Sequence, residues 1–159
     1  MSSYEIWLIL HLIGVVLLAG GHVASIFVIN VAGATDRTSE HQEYEKTLKT
    51  LDSKVIGLAN ILIIVPGLIL VHVAGYSYGD GWVIAAYVLL ALIMAAIFGL
   101  VEPAMKTYRN ELKNAVESGE QSDAALPTLL KEKSLWTGVH LASAGILLFI
   151  ILMVTKPGF

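Results

Sequence analysis

The chain predicts an all-α fold, a four-transmembrane-helix antiparallel bundle with helical cytoplasmic extensions, on three observations. Residues 6–35, 55–79, 81–101 and 134–155 contain no Asp, Glu, Lys or Arg, and each run reaches the roughly 20 apolar residues that cross a bilayer as a helix. Only 14% of the 159 residues are charged and 56% are hydrophobic, whereas a soluble domain carries about 25% charged residues. Nine of the ten basic residues fall in two of the links between the runs. Lys and Arg in short links mark the cytoplasmic side, so both termini are expected outside.

The spanning segments are placed at 5–32, 54–75, 81–102 and 134–155, within one integral membrane domain covering 1–159. The first is expected to be retained rather than cleaved. Ala32-Gly33-Ala34 resembles a cleavage site, but Met1-Ser2-Ser3-Tyr4-Glu5 lacks the basic region of a signal peptide and the apolar run is too long for one. The link to the second segment holds Arg37, Lys46, Lys49 and Lys54. It reads as a helix leading into the membrane, with Glu45 and Lys49 at the favourable i,i+4 spacing. His41 in this link is expected to be solvated.

Between the second and third segments there is no basic residue. Past Glu102-Pro103, residues 105–116 read as a continuation of segment three, carrying Lys106, Arg109 and Lys113. Residues 118–123 form the clearest loop. Asp123 is suited to cap a helix entering segment four, with Pro127 tolerated in an early turn. Tyr4, Trp7, Tyr76, Tyr78 and Trp82 cluster on the outer side and Trp136 and Tyr108 on the inner side, as aromatic belts at the two interfaces should.

The candidate functional residues are histidines. His11 and His22 lie in the first segment, His72 in the second and His140 in the fourth. An ionisable side chain within the membrane is a functional hypothesis by default. His11 and His22 are eleven residues apart, so they share a helix face about 16 Å apart along the axis. Gly14, Leu18, Gly21 and Ser25 lie on the same stripe, which therefore reads as a bundle-interior face. Small residues there permit close helix contact, and Gly14 and Gly21 would equally leave a slot for a flat macrocycle. Measured from the interfacial aromatics, His11 and His72 fall in the outer half and His22 and His140 in the inner half.

Two histidines at one level can ligate one haem iron. The pairing therefore points to haem b, one or two per chain, held by imidazole alone. The absence of cysteine excludes thiolate metal sites, covalent haem attachment and disulfides. The alternative for each histidine is a hydrogen bond to a Ser, an Asn or a backbone carbonyl. Ala91, Ala95 and Gly99 form a further small-residue stripe in segment three. Pro66-Gly67 predicts a kink whose freed carbonyl needs a partner. Glu102 is expected to anchor the interface or pair with a Lys or Arg of the cytoplasmic helices.

Several short motifs carry a family resemblance. Leu10-His11-Leu12-Ile13-Gly14 leading to Gly20-Gly21 resembles a first helix shared by several four-helix bacterial membrane families. Asp52, Pro66-Gly67-Leu68-Ile69-Leu70 with Gly75, and Leu152-Met153-Val154-Thr155-Lys156-Pro157 resemble one of them, a bacterial family of integral membrane proteins of unknown function. More distantly the chain is similar to the copper-resistance membrane domain and to the four-helix protoporphyrinogen oxidase family. The second of these is haem-associated, and that resemblance implies a haem role for His11. It does not extend to His22, His72 or His140, and the number of membrane histidines departs from it toward electron transfer.

Three functional readings follow. The first is a b-type haem protein passing electrons within or across the membrane, to quinone or a partner. The second is a non-catalytic accessory or assembly subunit of a larger membrane complex. The third is metal or small-molecule transport. The expected setting is the bacterial inner (plasma) membrane, with lipid as a partner, a homo-oligomer or larger complex as the assembly, and no role for nucleic acid.

Overall fold

The structure is a computed structural model that describes residues 1–156, so Pro157 of the closing motif lies outside the described residues. Helix α1 runs over Ser3–Ala32. A capping box opens it: Glu5 N–H donates to Ser2 Oγ, and Ser2 N–H donates to Glu5 Oε2 at 2.8 Å. Helix α2, Thr38–Thr50, continues through a π-helical turn, Leu51–Ile56, into α3, Gly57–Val73. Helix α4, Gly81–Ala96, continues through a second π-helical turn, Ile97–Val101, into α5, Glu102–Ser118. Helices α6, Ala125–Leu130, and α7, Lys133–Thr155, complete the order. Four helical stretches are long and apolar enough to cross a membrane, and they form the expected four-helix bundle.

The extensions of segments two and three are continuous helices, as the sequence predicts. That of segment four is not. Asp123 accepts from Ala125 N–H at 2.8 Å and starts α6, but the helix stops at Leu130. The Trp136 indole N–H donates to the Leu130 carbonyl at 2.9 Å, satisfying an orphan helix-end acceptor and fixing the bend into α7. Backbone bonds from Thr38 N–H to Gln121 O (3.1 Å) and from Asp123 N–H to Asp36 O (2.8 Å) tie the two cytoplasmic links together.

In the membrane, α1 packs along α3 and α4 packs along α7. Each hairpin uses two glycines seven residues apart, hence two turns apart on one face. A Cβ on Gly14 would lie 2.9 Å from the Ile63 backbone nitrogen and the Leu62 carbonyl carbon, and one on Gly21 would lie 3.0 Å from Ile56 Cγ1. In α7, Gly138 rests against Leu100 and Val101, and Gly145 rests against Ile93. Missing side chains let the backbones approach closely, which is how membrane helices gain dispersion contact where no hydrophobic drive separates them from lipid. At the inner glycine of each hairpin the partner is a π-helical turn: Gly21 meets 51–56 and Gly138 meets 97–101.

The principal side-chain core lies at the end of the bundle that carries the basic links. Ile29 and Ala32 of α1, Leu48 of α2, Met105, Tyr108 and Leu112 of α5, Leu126 and Leu130 of α6, and Leu135 and Val139 of α7 are buried together. The spacing Met105, Tyr108, Leu112, Ala115 is the apolar stripe of an amphipathic helix. A smaller cluster at the outer end joins Val71, Trp82 and Val83 to Leu152 and Met153. Lys156 Nζ lies 4.8 Å from the Tyr76 ring centroid and 5.6 Å from that of Trp82.

Candidate functional site: the membrane histidines and an inner polar cluster

The glycine contacts fix the register of α1 against α3. Gly14 is level with Leu62–Ile63 and Gly21 with Val55–Ile56. Extending this antiparallel register places His11 beside 65–66 and His72 beside Tyr4 and Glu5. His11 and His72 therefore differ in depth by about 10 Å at 1.5 Å per residue. The structure does not bring them to one level: the register sets the outer end of α3 beside the first turn of α1, so His72 sits at the end of the hairpin and His11 about two turns deeper. His72 is exposed, at the outer interface.

His11 points into its own hairpin. Its Nδ1 lies 3.0 Å from the Ile63 carbonyl oxygen. A carbonyl only accepts, so Nδ1 carries the proton and Nε2 keeps its lone pair. The ring packs over Gly67, where an added Cβ would lie 3.1 Å from His11 Cε1 and Nδ1. Gly67 thus makes room for the imidazole beside Pro66; the carbonyl that Pro66 frees by lacking an N–H is that of Leu62, one residue before the acceptor His11 uses.

His22 reaches the other hairpin. Its Nε2 lies 2.8 Å from Ser143 Oγ, and Ser143 Oγ lies 2.8 Å from the Val139 carbonyl. The serine has one proton, and Val139 O takes it, so His22 Nε2–H is the donor to Ser143. His140, one turn from Ser143, does not face His22. It is exposed, with its ring tilted against Trp136 at 5.8 Å between centroids. The space beside Gly14 is filled by α3 and that beside Gly21 by the π-helical turn before it, and Gly99, with Ala91 and Ala95, lies on the exposed surface.

A second constellation lies at the cytoplasmic boundary. Arg109 of α5 bridges Glu45 of α2 at 3.0 Å and Glu102 at 2.9 Å. Burial pushes the Glu45 carboxyl up, against the opposing pull of Arg109. Asp52 is exposed at the surface, and partial desolvation there pushes its carboxyl up; Arg109 opposes the shift and Glu102 adds to it. Glu45 Oε2 is buried without a hydrogen-bond partner. Beside this cluster His41 is fully buried. Its Nε2–H donates to the Thr35 carbonyl at 3.0 Å, and in the neutral ring Nδ1 accepts from the Tyr108 hydroxyl at 3.0 Å. Burial, followed by the Glu45 charge, raises the Tyr108 pKa far above its ordinary value. The expectation that His41 is solvated fails because α5 folds back over α2 and covers it. Glu102 does pair with an arginine of the cytoplasmic helices.

One protein family, described as predicted integral membrane protein (DUF2269), matches residues 5–157. The chain belongs to the DUF2269 family. No curated protein and no solved structure matches it.

In this DUF2269 protein the described residues contain no group of three or more His, Asp or Glu placed to hold a metal ion. The inner cluster is instead a joint between the two long cytoplasmic helices, with π-helical turns at its membrane edge, a feature frequent at functional sites. Its sequence signal was weak. Arg109 lies seven residues from Glu102 and 64 from Glu45, so only the Glu102 contact falls within one helix.

Proposed function

We propose that this DUF2269 protein is a non-catalytic accessory or assembly subunit, working through lateral association in the plasma (inner) membrane of a bacterium, with its basic links on the cytoplasmic side. One observation carries the reading: each inward histidine donates its ring proton within the chain, and polar side chains without hydrogen-bond partners among the described residues lie on the outward faces of the spanning helices. His11 and His22 spend their protons on Ile63 and Ser143. Asn60, Tyr87 and His140 are exposed on the spanning helices. In hydrocarbon an unpaired polar group is costly and normally faces protein, so a further helix against these faces relieves the penalty. A tagged chain purified from its own membranes in mild detergent should run as a species larger than one chain. A monodisperse monomer would count against the reading.

The b-type haem reading keeps one supporting observation. Donation from Nδ1 to a backbone carbonyl orients an imidazole for ligation through Nε2, and His11 has that arrangement. The residues otherwise do not fit a macrocycle within one chain: the spaces at Gly14 and Gly21 are filled by α3 and the π-helical turn before it, and His72 and His140 do not face the inward pair. Oxidised and reduced absorption spectra of the purified protein, after incubation with haem, separate the readings. A Soret band with reducible bands, lost on His11→Ala, would restore haem and an electron-transfer role to quinone or a membrane partner.

A further inference from the structure

Asn60 lies near the middle of the membrane. The glycine register sets it level with residues 16–17 of α1, about 15 Å from the depth of Trp7. That is half of a hydrocarbon core roughly 30 Å thick. Its side chain is exposed and makes no hydrogen bond among the described residues. Ile61 and Ile64 on the same side of α3 are 61% and 45% exposed. The other polar side chains on the spanning surface lie nearer an interface: His72 is level with Tyr4, and His140 is one turn beyond Trp136.

We infer that this face of α3 docks a second copy of the same chain, with Asn60 paired to Asn60 of that copy. The inference rests on the proposed lateral-association role and names its partner. Two arguments select a second copy. The charge asymmetry of the links gives every copy the same orientation, so a two-fold axis along the membrane normal puts the two Asn60 side chains at one depth. A carboxamide is both donor and acceptor, so the pair is self-complementary in an isologous contact. An asparagine at a membrane helix interface also specifies register, since any axial slip leaves both amides unpaired.

The chain contains no cysteine, so single-cysteine variants give an unambiguous readout in native membranes. Ile64→Cys is expected to form a disulfide-linked dimer under mild oxidation. Val16→Cys on α1 and Leu147→Cys on α7, both exposed, are expected to form little. Adding Asn60→Leu to Ile64→Cys should lower the dimer fraction several-fold, and Asn60→Gln should retain much of it. Equal cross-linking at all three positions, a dimer insensitive to Asn60→Leu, or an adduct of another mass at Ile64→Cys would overturn the inference. The broader role is read separately in mild detergent. A large species without an Ile64→Cys dimer rejects the α3 contact alone, whereas a monomer rejects both.

Discussion

His22 of α1 donates to Ser143 of α7 across 2.8 Å, and among the described residues this is the side-chain hydrogen bond that joins the two hairpins inside the membrane. The α1–α3 pair and the α4–α7 pair are each closed by glycine contacts, but they meet each other mainly at their ends. The bond at His22 is therefore placed where loss of packing is not compensated by neighbours. Ser143→Ala should lower stability by about 0.6 kcal/mol and by no more than about 1.7 kcal/mol, the mean and the maximum for hydrogen bonds between membrane helices. Ser143→Thr should retain most of it. Reversible unfolding in mixed micelles measures the difference. An unchanged midpoint for Ser143→Ala would show that the bridge adds nothing.

Gly14 and Gly20 are six residues apart on one helix and should respond oppositely to the same substitution. A Cβ at Gly14 meets backbone atoms of α3 at 2.9 Å, whereas one at Gly20 meets nothing within 4 Å. Backbone cannot rotate away, so Gly14→Ala should cost about 1–3 kcal/mol, as overpacking does. Gly20→Ala should be neutral or stabilise by up to about 1 kcal/mol through helix propensity. Thermal unfolding of the two variants side by side decides it, and equal effects would contradict the close approach at Gly14.

Tyr108→Phe tests the buried cytoplasmic joint. The phenol hydroxyl donates to His41 Nδ1 in a fully buried pair. Its removal leaves a buried acceptor unpaired, a penalty of about 1–3 kcal/mol. Hydrogen exchange should show faster opening of α2 and α5 in the variant while α1 and α3 stay protected. A variant with wild-type exchange in α2 would show that the bond is dispensable.

The inner carboxylates set a pH dependence. Desolvation raises the pKa of Asp52 and of Glu45 above ordinary carboxylate values. The native state then holds protons that the unfolded chain has already released, so stability falls as pH rises through that window. Asp52→Asn removes one such penalty. The variant should melt higher than wild type at about pH 7.5, and its advantage should shrink near pH 4, where the unfolded carboxyl is itself about half protonated. A constant difference at both pH values would exclude the titration of Asp52 as its source. Arg109→Met should act in the opposite sense, lowering stability at neutral pH by leaving Glu45 largely buried without its partner.

The four apolar helices, the continuous helices on either side of Lys54 and Glu102, and the closeness of Gly14 and Gly21 to another helix were legible in the chain. Each depends on composition or spacing within one segment, and the bilayer reads those quantities directly: about twenty uncharged apolar residues have no other low-energy place. What tertiary structure alone decided is which residues meet. Depth measured from interfacial aromatics paired His11 with His72, but the register of α3 on α1 is set by close contact at Gly14 and Gly21, and it slides His72 out to the level of Tyr4. Whether His22 faces His140 or Ser143 depends on the rotation of α7, and whether His41 meets water or Tyr108 depends on α5 folding over α2. Helix registers and rotations are products of packing between segments distant in sequence, so no local pattern contains them.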